Sequence, residues 1–361
     1  MLAPFIPSSA LPRVAALRAA VRAGARPADA AAALAEGVRA IRAASGLAPD
    51  GAVEQWIWDG DEEEAPMDAF ERRYVHTWLE SIIRWAASEP ALADVGDECA
   101  AHLGLLAGEA AAGTRMHRFF FCLAGAPRTP ADAAVRVDLR QVALTDDALG
   151  ARTWGAATVL ALRLLGTRIP ASVLELGAGT GLVGLALAAH APHAHVVLTD
   201  YHPHVLANLS YNAAASAAAA RVAVRALDWR AAAAGHGLGT RFALIAAADC
   251  VYEREHAELV AQTAAAHLAF PERDVRPQLH LCMAVRATHR AEAAEIVRVF
   301  RDAPVTVRAG ERTWALAMVA DARARGTENF APVALRSTRA RARDTEFWHV
   351  VVEWRQPSGH E

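Results

Sequence analysis

The nine residues Val173-Leu174-Glu175-Leu176-Gly177-Ala178-Gly179-Thr180-Gly181 decide how the rest of this 361-residue chain is read. A short, largely apolar run passes directly into three glycines spaced two apart, and the stretch from Leu182 to Ala189 that follows is apolar and helix-forming. Glycine lets the backbone turn tightly and lets a ligand approach it closely. A strand, a glycine turn and a helix in that order mark the carboxyl end of a strand, where open α/β sheets bind their ligands. The segment therefore predicts a cofactor site on a parallel sheet.

Reading outward, Ser172 to Leu176, His195 to Thr199, Val222 to Ala226, Phe242 to Ala247 and Leu279 to Val285 are apolar runs separated by helical stretches. Such alternation predicts a doubly wound α/β fold with a mostly parallel sheet covered on both faces. Pro332 to Arg336 and Glu346 to Trp354 are too closely joined for a crossover helix, so they are expected to pair as a C-terminal antiparallel hairpin at the sheet edge. Arg336, Arg339, Arg341 and Arg343 in that connection read as a solvated turn. Upstream, Arg118 to Leu123 and Val135 to Leu144 are β-rich and Thr153 to Leu165 is helical. The texture changes near Gly113, which gives a helical N-terminal region over 1–112 and a catalytic domain over 113–361. Within the former, Phe70, Tyr74, Trp78, Ile82 and Trp85 form an apolar stripe at helical spacing, expected to be core. The acids Asp59 and Asp61 to Glu64 before it read as a solvated loop.

Bulk properties narrow the class. A net charge of -3 offers no general attraction to nucleic acid or anionic lipid. All 37 basic residues are arginine. Cys99, Cys122, Cys250 and Cys282 are widely spaced, which suggests neither a disulfide framework nor a zinc site and fits a reducing compartment. The uncharged stretch from Leu176 to Thr199 holds four glycines, Pro192 and three histidines, so it is not expected to span a membrane. No acid precedes Asp29, and Arg13, Arg18, Arg22 and Arg26 recur beside Leu11, Val14, Leu17 and Val21. The expectation is an amphipathic helix with a basic outer face; the alternative is a mitochondrial transit peptide. His190, His193, His195, His202 and His204 flank a helix end, a strand and a turn rather than one face, so no metal site is expected. No serine sits in a nucleophile-elbow pattern.

Glycines alone leave the cofactor open, because Gly179-x-Gly181-x-x-Gly184 with Asp200 downstream also satisfies the dinucleotide fingerprint. The charges discriminate. Glu175 lies at the strand end, and Asp200, Asp228 and Asp249 end the next three strands or begin their loops. Four carboxylates around one crevice repel a pyrophosphate but suit a cofactor that carries a sulfonium and an ammonium, as S-adenosyl-L-methionine does. In this reading Glu175 and the backbone of Gly177, Gly179 and Gly181 hold the methionine end. Asp200 accepts hydrogen bonds from ribose hydroxyls, Asp228 accepts from the adenine amino group, and Trp229 packs on the ring. The plain alternatives are a core aromatic at Trp229 and, for Asp200, a cap on the helix that Pro203 opens.

Taken together, Leu149-Gly150-Ala151-Arg152-Thr153-Trp154-Gly155, the run from 173 to 181, Thr199-Asp200, Leu227-Asp228-Trp229 and Asp249-Cys250-Val251-Tyr252 resemble one group. It is the Asp-x-x-Tyr protein lysine methyltransferases of the seven-β-strand class, and the similarity spans about 115 to 355. Within that group, the Thr-Trp-Gly segment, the strand pair before it and the helical N-terminal extension look most like fungal enzymes that modify translation elongation factors. The resemblance implies a seven-stranded sheet, S-adenosyl-L-methionine as cofactor, and a cytoplasmic, monomeric enzyme acting on a protein substrate. It further implies that Trp154 lies beside the cofactor and that Asp249 and Tyr252 line the place where the target amine meets the methyl group. Asn208 and Asn212 stand at positions often polar in the family, and on spacing alone they are equally well surface residues. Methylation of a small molecule, and an NAD(P)-binding protein on the same sheet, remain the alternatives.

Overall fold

The computed structural model describes residues 7–44, 52–58, 69–106, 114–123, 133–142, 150, 152–272, 275–326 and 345–357. The described residues up to 55 and from 69 to 118 form one compact unit; 56–58, 119–326 and 345–357 form the other. The acids at 59 and 61–64, the expected strand at 332–336, the arginines from Arg336 to Arg343, and Leu149 and Ala151 lie outside the described residues.

In the first unit, helices α1 (Pro7–Ala10), α2 (Val14–Arg22) and α3 (Pro27–Ala44) precede strand β1 (Val53–Trp58), followed by α4 (Ala69–Ala86) and α5 (Ala93–Leu106). Leu34, Val38 and Ile41 of α3 pack with Val75, Trp78, Leu79, Ile82 and Trp85 of α4. Val14, Leu17 and Val21 lay the apolar face of α2 on the same core, and its arginines stay outside. The expected stripe is core except at its start: Trp78, Ile82 and Trp85 are buried and Tyr74 packs against them, while Phe70 is 66% exposed. Repeating every four residues overshoots the 3.6-residue turn, so the row drifts off the buried face within two turns. The strand β1 corrects the all-helical reading of this region. Its Val-Glu-Gln-Trp-Ile-Trp sequence is β-branched and aromatic, but it is too short to outweigh its alanine-rich surroundings.

The second unit carries the sheet that builds the site. Residues 56–58 of β1 fall in this unit, as do residues 119–122 of β2 (Arg115–Cys122) and all of β3 (Val135–Gln141), the three strands forming a sheet of order β1-β2-β3. Thereafter strands and helices alternate: α6 (Gly155–Leu165), β4 (Ser172–Leu176), α7 (Leu182–His190), β5 (His195–Asp200), α8 (Pro203–Ala215), β6 (Val222–Ala226), α9 (Trp229–Ala233), β7 (Leu244–Ala248), α10 (Arg254–His267), β8 (Gln278–Ala284) and α11 (Arg290–Val297). The chain ends in β9 (Thr306–Ala309), β10 (Arg312–Gly326) and β11 (Thr345–Arg355). The main sheet has the order β6-β5-β4-β7-β8-β11-β10-β9. Its first five strands are parallel and the rest antiparallel. Val173, Leu174 and Leu176 of β4 are fully buried, as a strand covered on both faces requires.

The doubly wound, mostly parallel sheet and its C-terminal antiparallel hairpin are as the sequence implies. Two details differ. The sheet has eight strands among the described residues, the additional one being β9. The first arm of the hairpin is Arg312–Gly326, whose Ala, Met and Arg content favours helix in isolation. Pairing with β11 along most of its length, and with β9 at its start, overrides that preference. From β4 the chain winds out to β5 and β6, then returns to β7 on the other side of β4. That reversal leaves a crevice beyond the carboxyl ends of β4 and β7. No described helix is long and apolar enough to cross a membrane.

Candidate active site

The crevice is a cavity of about 970 Å³, at the upper end of the roughly 300–1,000 Å³ usual for small-molecule sites. Its floor is the turn after β4. Gly177, Gly179 and Gly181 have φ of +59°, +55° and +87°, in the left-handed region that favours glycine. A side chain on Gly179 would come within 2.9 Å of the Gly150 carbonyl oxygen. Gly177 and Gly179 line the cavity; Gly181 does not, and instead opens α7 against Leu209.

Glu175 is 3% exposed, and its Oε2 accepts a 2.7 Å hydrogen bond from the Gly184 amide in the first turn of α7. Burial, and secondarily the charge of Asp200, pushes its carboxyl up to about 8 against the pull of the Gly184 and Val183 amides. The helix start that would cradle a pyrophosphate is thus already occupied by a carboxylate of the protein. Gly184, the last glycine of the fingerprint, serves packing: a side chain there would meet Leu198 at 2.3 Å and Glu175 at 2.7 Å.

Asp200 ends β5. Its Oδ2 accepts from the Gly179 amide at 3.2 Å, and its Oδ1 accepts from Tyr201 at 2.8 Å and His202 at 3.2 Å. It therefore ties the glycine turn to the β5 loop; the residue that caps α8 is His202. Burial raises its carboxyl as well. Asp228 caps α9 by accepting from the Arg230 amide at 2.8 Å, and the half-buried Trp229 beside it lines the cavity. His256 of α10 presents its ring edge-on to both Trp229 (5.9 Å) and Tyr252 (4.5 Å).

At the opposite wall, Asp249 ends β7 with φ +48°, the one non-glycine positive φ among the described residues. Its Oδ2 accepts from the Ala156 amide in the first turn of α6 at 3.1 Å, and its Oδ1 from the Ala284 amide at the end of β8 at 3.0 Å. Trp154 caps α6 just above, with the guanidinium carbons of Arg152 and Arg286 at 5.0 and 5.9 Å from its ring. Tyr252 is 44% exposed at the rim. Every expected site residue except Gly181 therefore lines one cavity.

Several contributors escaped the sequence reading. Thr153 and Thr180 face each other with hydroxyl oxygens 2.7 Å apart, and both line the cavity. Arg152 stands inside the motif before α6, but nothing in the sequence pairs it with Arg286 or singles out His256. Asn208 and Asn212 are buried and bonded to β3, which corrects the surface reading. The histidines from His190 to His204 do not gather into one ligand set; among the described residues Glu253, Glu255 and His256 do approach one another, and Arg230 pairs with Glu255.

Residues 136–293 match the model of a family described as lysine methyltransferase. Over 139 residues the chain is 37% identical to protein-lysine N-methyltransferase rrg1 of Schizosaccharomyces pombe, covering 35% of this chain and 45% of that one. Over 62 residues it is 47% identical to a release factor glutamine methyltransferase of Cereibacter sphaeroides, covering 17% and 22%. The chain spans less than half the length of the curated relatives it matches. Among solved structures, a glycopeptide N-methyltransferase complexed with S-adenosyl-L-methionine overlays with a TM-score of 0.33 at 14% identity, covering 56% of this chain and 92% of that one. All the residues around the cavity fall inside the matched stretch.

Proposed function

We propose that this protein is an S-adenosyl-L-methionine-dependent protein-lysine N-methyltransferase. The observation that carries the reading is the buried Glu175 carboxylate seated on the first-turn amides of α7, with Asp200 beside it. With its pKa pushed up to about 8, Glu175 ionises readily against a cationic ligand but not against a phosphate, so the arrangement favours the former. When bound, S-adenosyl-L-methionine supplies a methyl group activated on a sulfonium. Glu175 and the Gly177–Gly179 turn would hold its amino-acid end, Asp200 its ribose hydroxyls, and Asp228 with Trp229 its adenine.

The protein's part in the transfer is alignment of an uncharged amine. Asp249 is fixed by two backbone amides, so its carboxylate is a rigid acceptor for an amine N–H. It orients the nucleophile and is too weak a base to deprotonate a lysine outright. Because a carboxylate favours the ammonium form, something must oppose it. Half-burial of the amine between Trp154 and Tyr252 does so, and the Arg152 and Arg286 guanidiniums flanking Trp154 add like charge that disfavours the ammonium.

The acceptor we propose is a lysine of a translation elongation factor, on the resemblance of the segment around Thr153-Trp154-Gly155 and the strand pair before it, with the enzyme acting as a cytoplasmic monomer. The chain contains no lysine, so any lysine-borne methyl must sit on another protein. The test is transfer of labelled methyl from S-adenosyl-L-methionine into a ribosome-and-translation-factor extract and, separately, into deproteinised small molecules. A labelled band of elongation-factor size is expected. Label confined to the small molecules would keep the cofactor and overturn the acceptor; no label and no cofactor binding would overturn the reading itself.

A further inference from the structure

β3 is an outer strand of its three-stranded sheet, and an outer strand leaves backbone groups to be satisfied by something other than a neighbouring strand. At Arg140 two asparagines of α8 do this. The Asn212 carboxamide accepts from the Arg140 amide at 2.8 Å and donates to the Arg140 carbonyl at 3.1 Å, imitating a paired strand. Asn208 donates to the same carbonyl at 2.9 Å and accepts from Arg140 Nε at 2.8 Å, while the guanidinium lies 3.7 Å over the Tyr211 ring. Both asparagines are inaccessible, Asn212 completely so.

The two differ in one respect. Asn212 Nδ2 also donates to the Thr180 carbonyl at 3.0 Å, and Asn208 has no counterpart to that bond. Thr180 belongs to the glycine turn, and its hydroxyl meets that of Thr153, whose amide donates to Gln141 Oε1 at 3.3 Å. Gln141 is the next residue of β3. A closed polar circuit thus runs from β3 through Asn212 to the turn, across to the segment before α6, and back to β3.

We infer that Asn212 is a positioning residue that latches the glycine turn to strand β3, holding the cofactor-binding backbone in its left-handed conformation. The consequence for the cofactor rests on the methyltransferase reading; the latch does not. Glycines permit that conformation but do not enforce it, since they populate many others, so a turn of glycines needs an outside restraint to be preorganised.

The test compares Asn212→Asp with Asn208→Asp. Asn212→Asp keeps the acceptor for the Arg140 amide and loses the donor both to the Arg140 carbonyl and to Thr180. Asn208→Asp keeps the acceptor for Arg140 Nε and loses only the bond to the Arg140 carbonyl. In the ligand-free protein, amide hydrogen exchange over residues 178–184 is expected to quicken about tenfold in Asn212→Asp and to stay within about twofold of the parent in Asn208→Asp. S-adenosyl-L-methionine affinity, measured by calorimetry, is expected to fall about tenfold in the first variant alone, even where both melt at lower temperature. Equal exchange in the two variants, or loss of affinity that merely tracks the melting temperature, overturns the inference. A parent protein that does not bind S-adenosyl-L-methionine overturns the functional reading, and the exchange comparison then decides the latch alone. Should Asn212→Asp not accumulate as folded protein, Asn212→Ser is read by the same two measurements.

Discussion

Asp249 joins two demands in one side chain. It is expected to face the acceptor, and it also supplies the acceptors for two backbone amides, from Ala156 and Ala284. A left-handed φ is tolerable for aspartate and concentrates at functional sites. Asp249→Ala should therefore abolish methyl transfer and also lower the unfolding free energy by about 2 kcal/mol, because both amides lose their partner. Asp249→Asn, which can satisfy one amide through its single carbonyl oxygen, should lose transfer with a smaller cost in stability. Turnover and denaturant unfolding on the same preparations check this. Glu175 makes a different prediction. Its pKa rises from 4.5 unfolded to about 8 folded, so its contribution to stability is full below about 4.5 and is lost as pH rises through about 8. A cationic ligand favours the ionised form, so S-adenosyl-L-methionine affinity should rise with pH up to about 8 and level off above it. Calorimetry in buffers of different ionisation enthalpy would register the released proton. An affinity flat between pH 6 and 8 would show that Glu175 does not meet the cationic ligand.

At the scale of elements, the pairing of β8 with β11 buries two histidines against each other. His280 Nδ1 lies 3.0 Å from His349 Nε2, His280 Nε2 lies 3.0 Å from Gln278 Oε1, and Gln278 Nε2 donates to Glu353 at 2.8 Å. With both imidazoles neutral, His280 Nε2 donates to Gln278 Oε1 and His280 Nδ1 accepts from His349 Nε2, so each ring carries its proton on Nε2. Burial pushes His280 down to about 3, with His349 adding to the effect, and takes His349 to about 4, where Arg163 adds to it. Stability from the pair is thus present above about 6.5 and lost as pH falls towards those values, opposite in sign to the contribution of Glu175. Relative to the parent, His280→Leu combined with His349→Leu should flatten the fall in melting temperature between about pH 6.5 and 4.5. An unchanged acid limb would exclude the pair as its source. The strands β4 to β8 were legible in the sequence because each is a contiguous apolar run between helices. β10 was not, because its alanine and arginine favour helix in isolation and only its partners make it a strand, and Phe70 was misplaced by a four-residue count applied to a 3.6-residue helix.

For the whole molecule, the two compact units of the described residues are expected to have separable stabilities. Leu79 is fully buried among Val75, Trp78 and Ile82 in the first unit. Leu79→Ala should cost that unit about 2–5 kcal/mol while leaving S-adenosyl-L-methionine affinity unchanged, because the residues around the cavity belong to the second. Calorimetric scans with and without the cofactor should show the ligand and the substitution moving different transitions; a single transition moved by both would show one cooperative unit. By itself the sequence determined the crevice and the four carboxylates that line it. A strand, a glycine turn and a helix are contiguous, and parallel strands bring their carboxyl ends to one edge, so Glu175, Asp200, Asp228 and Asp249 converge by topology alone. Only the tertiary structure decided what those groups bond to. It seats Glu175 on the Gly184 amide, ties Asp249 to residues 93 and 35 positions away, and closes Asn212 over the Arg140 backbone 72 positions away. The last three bonds join segments far apart in the chain, and hydrophobic period and residue spacing report only on near neighbours.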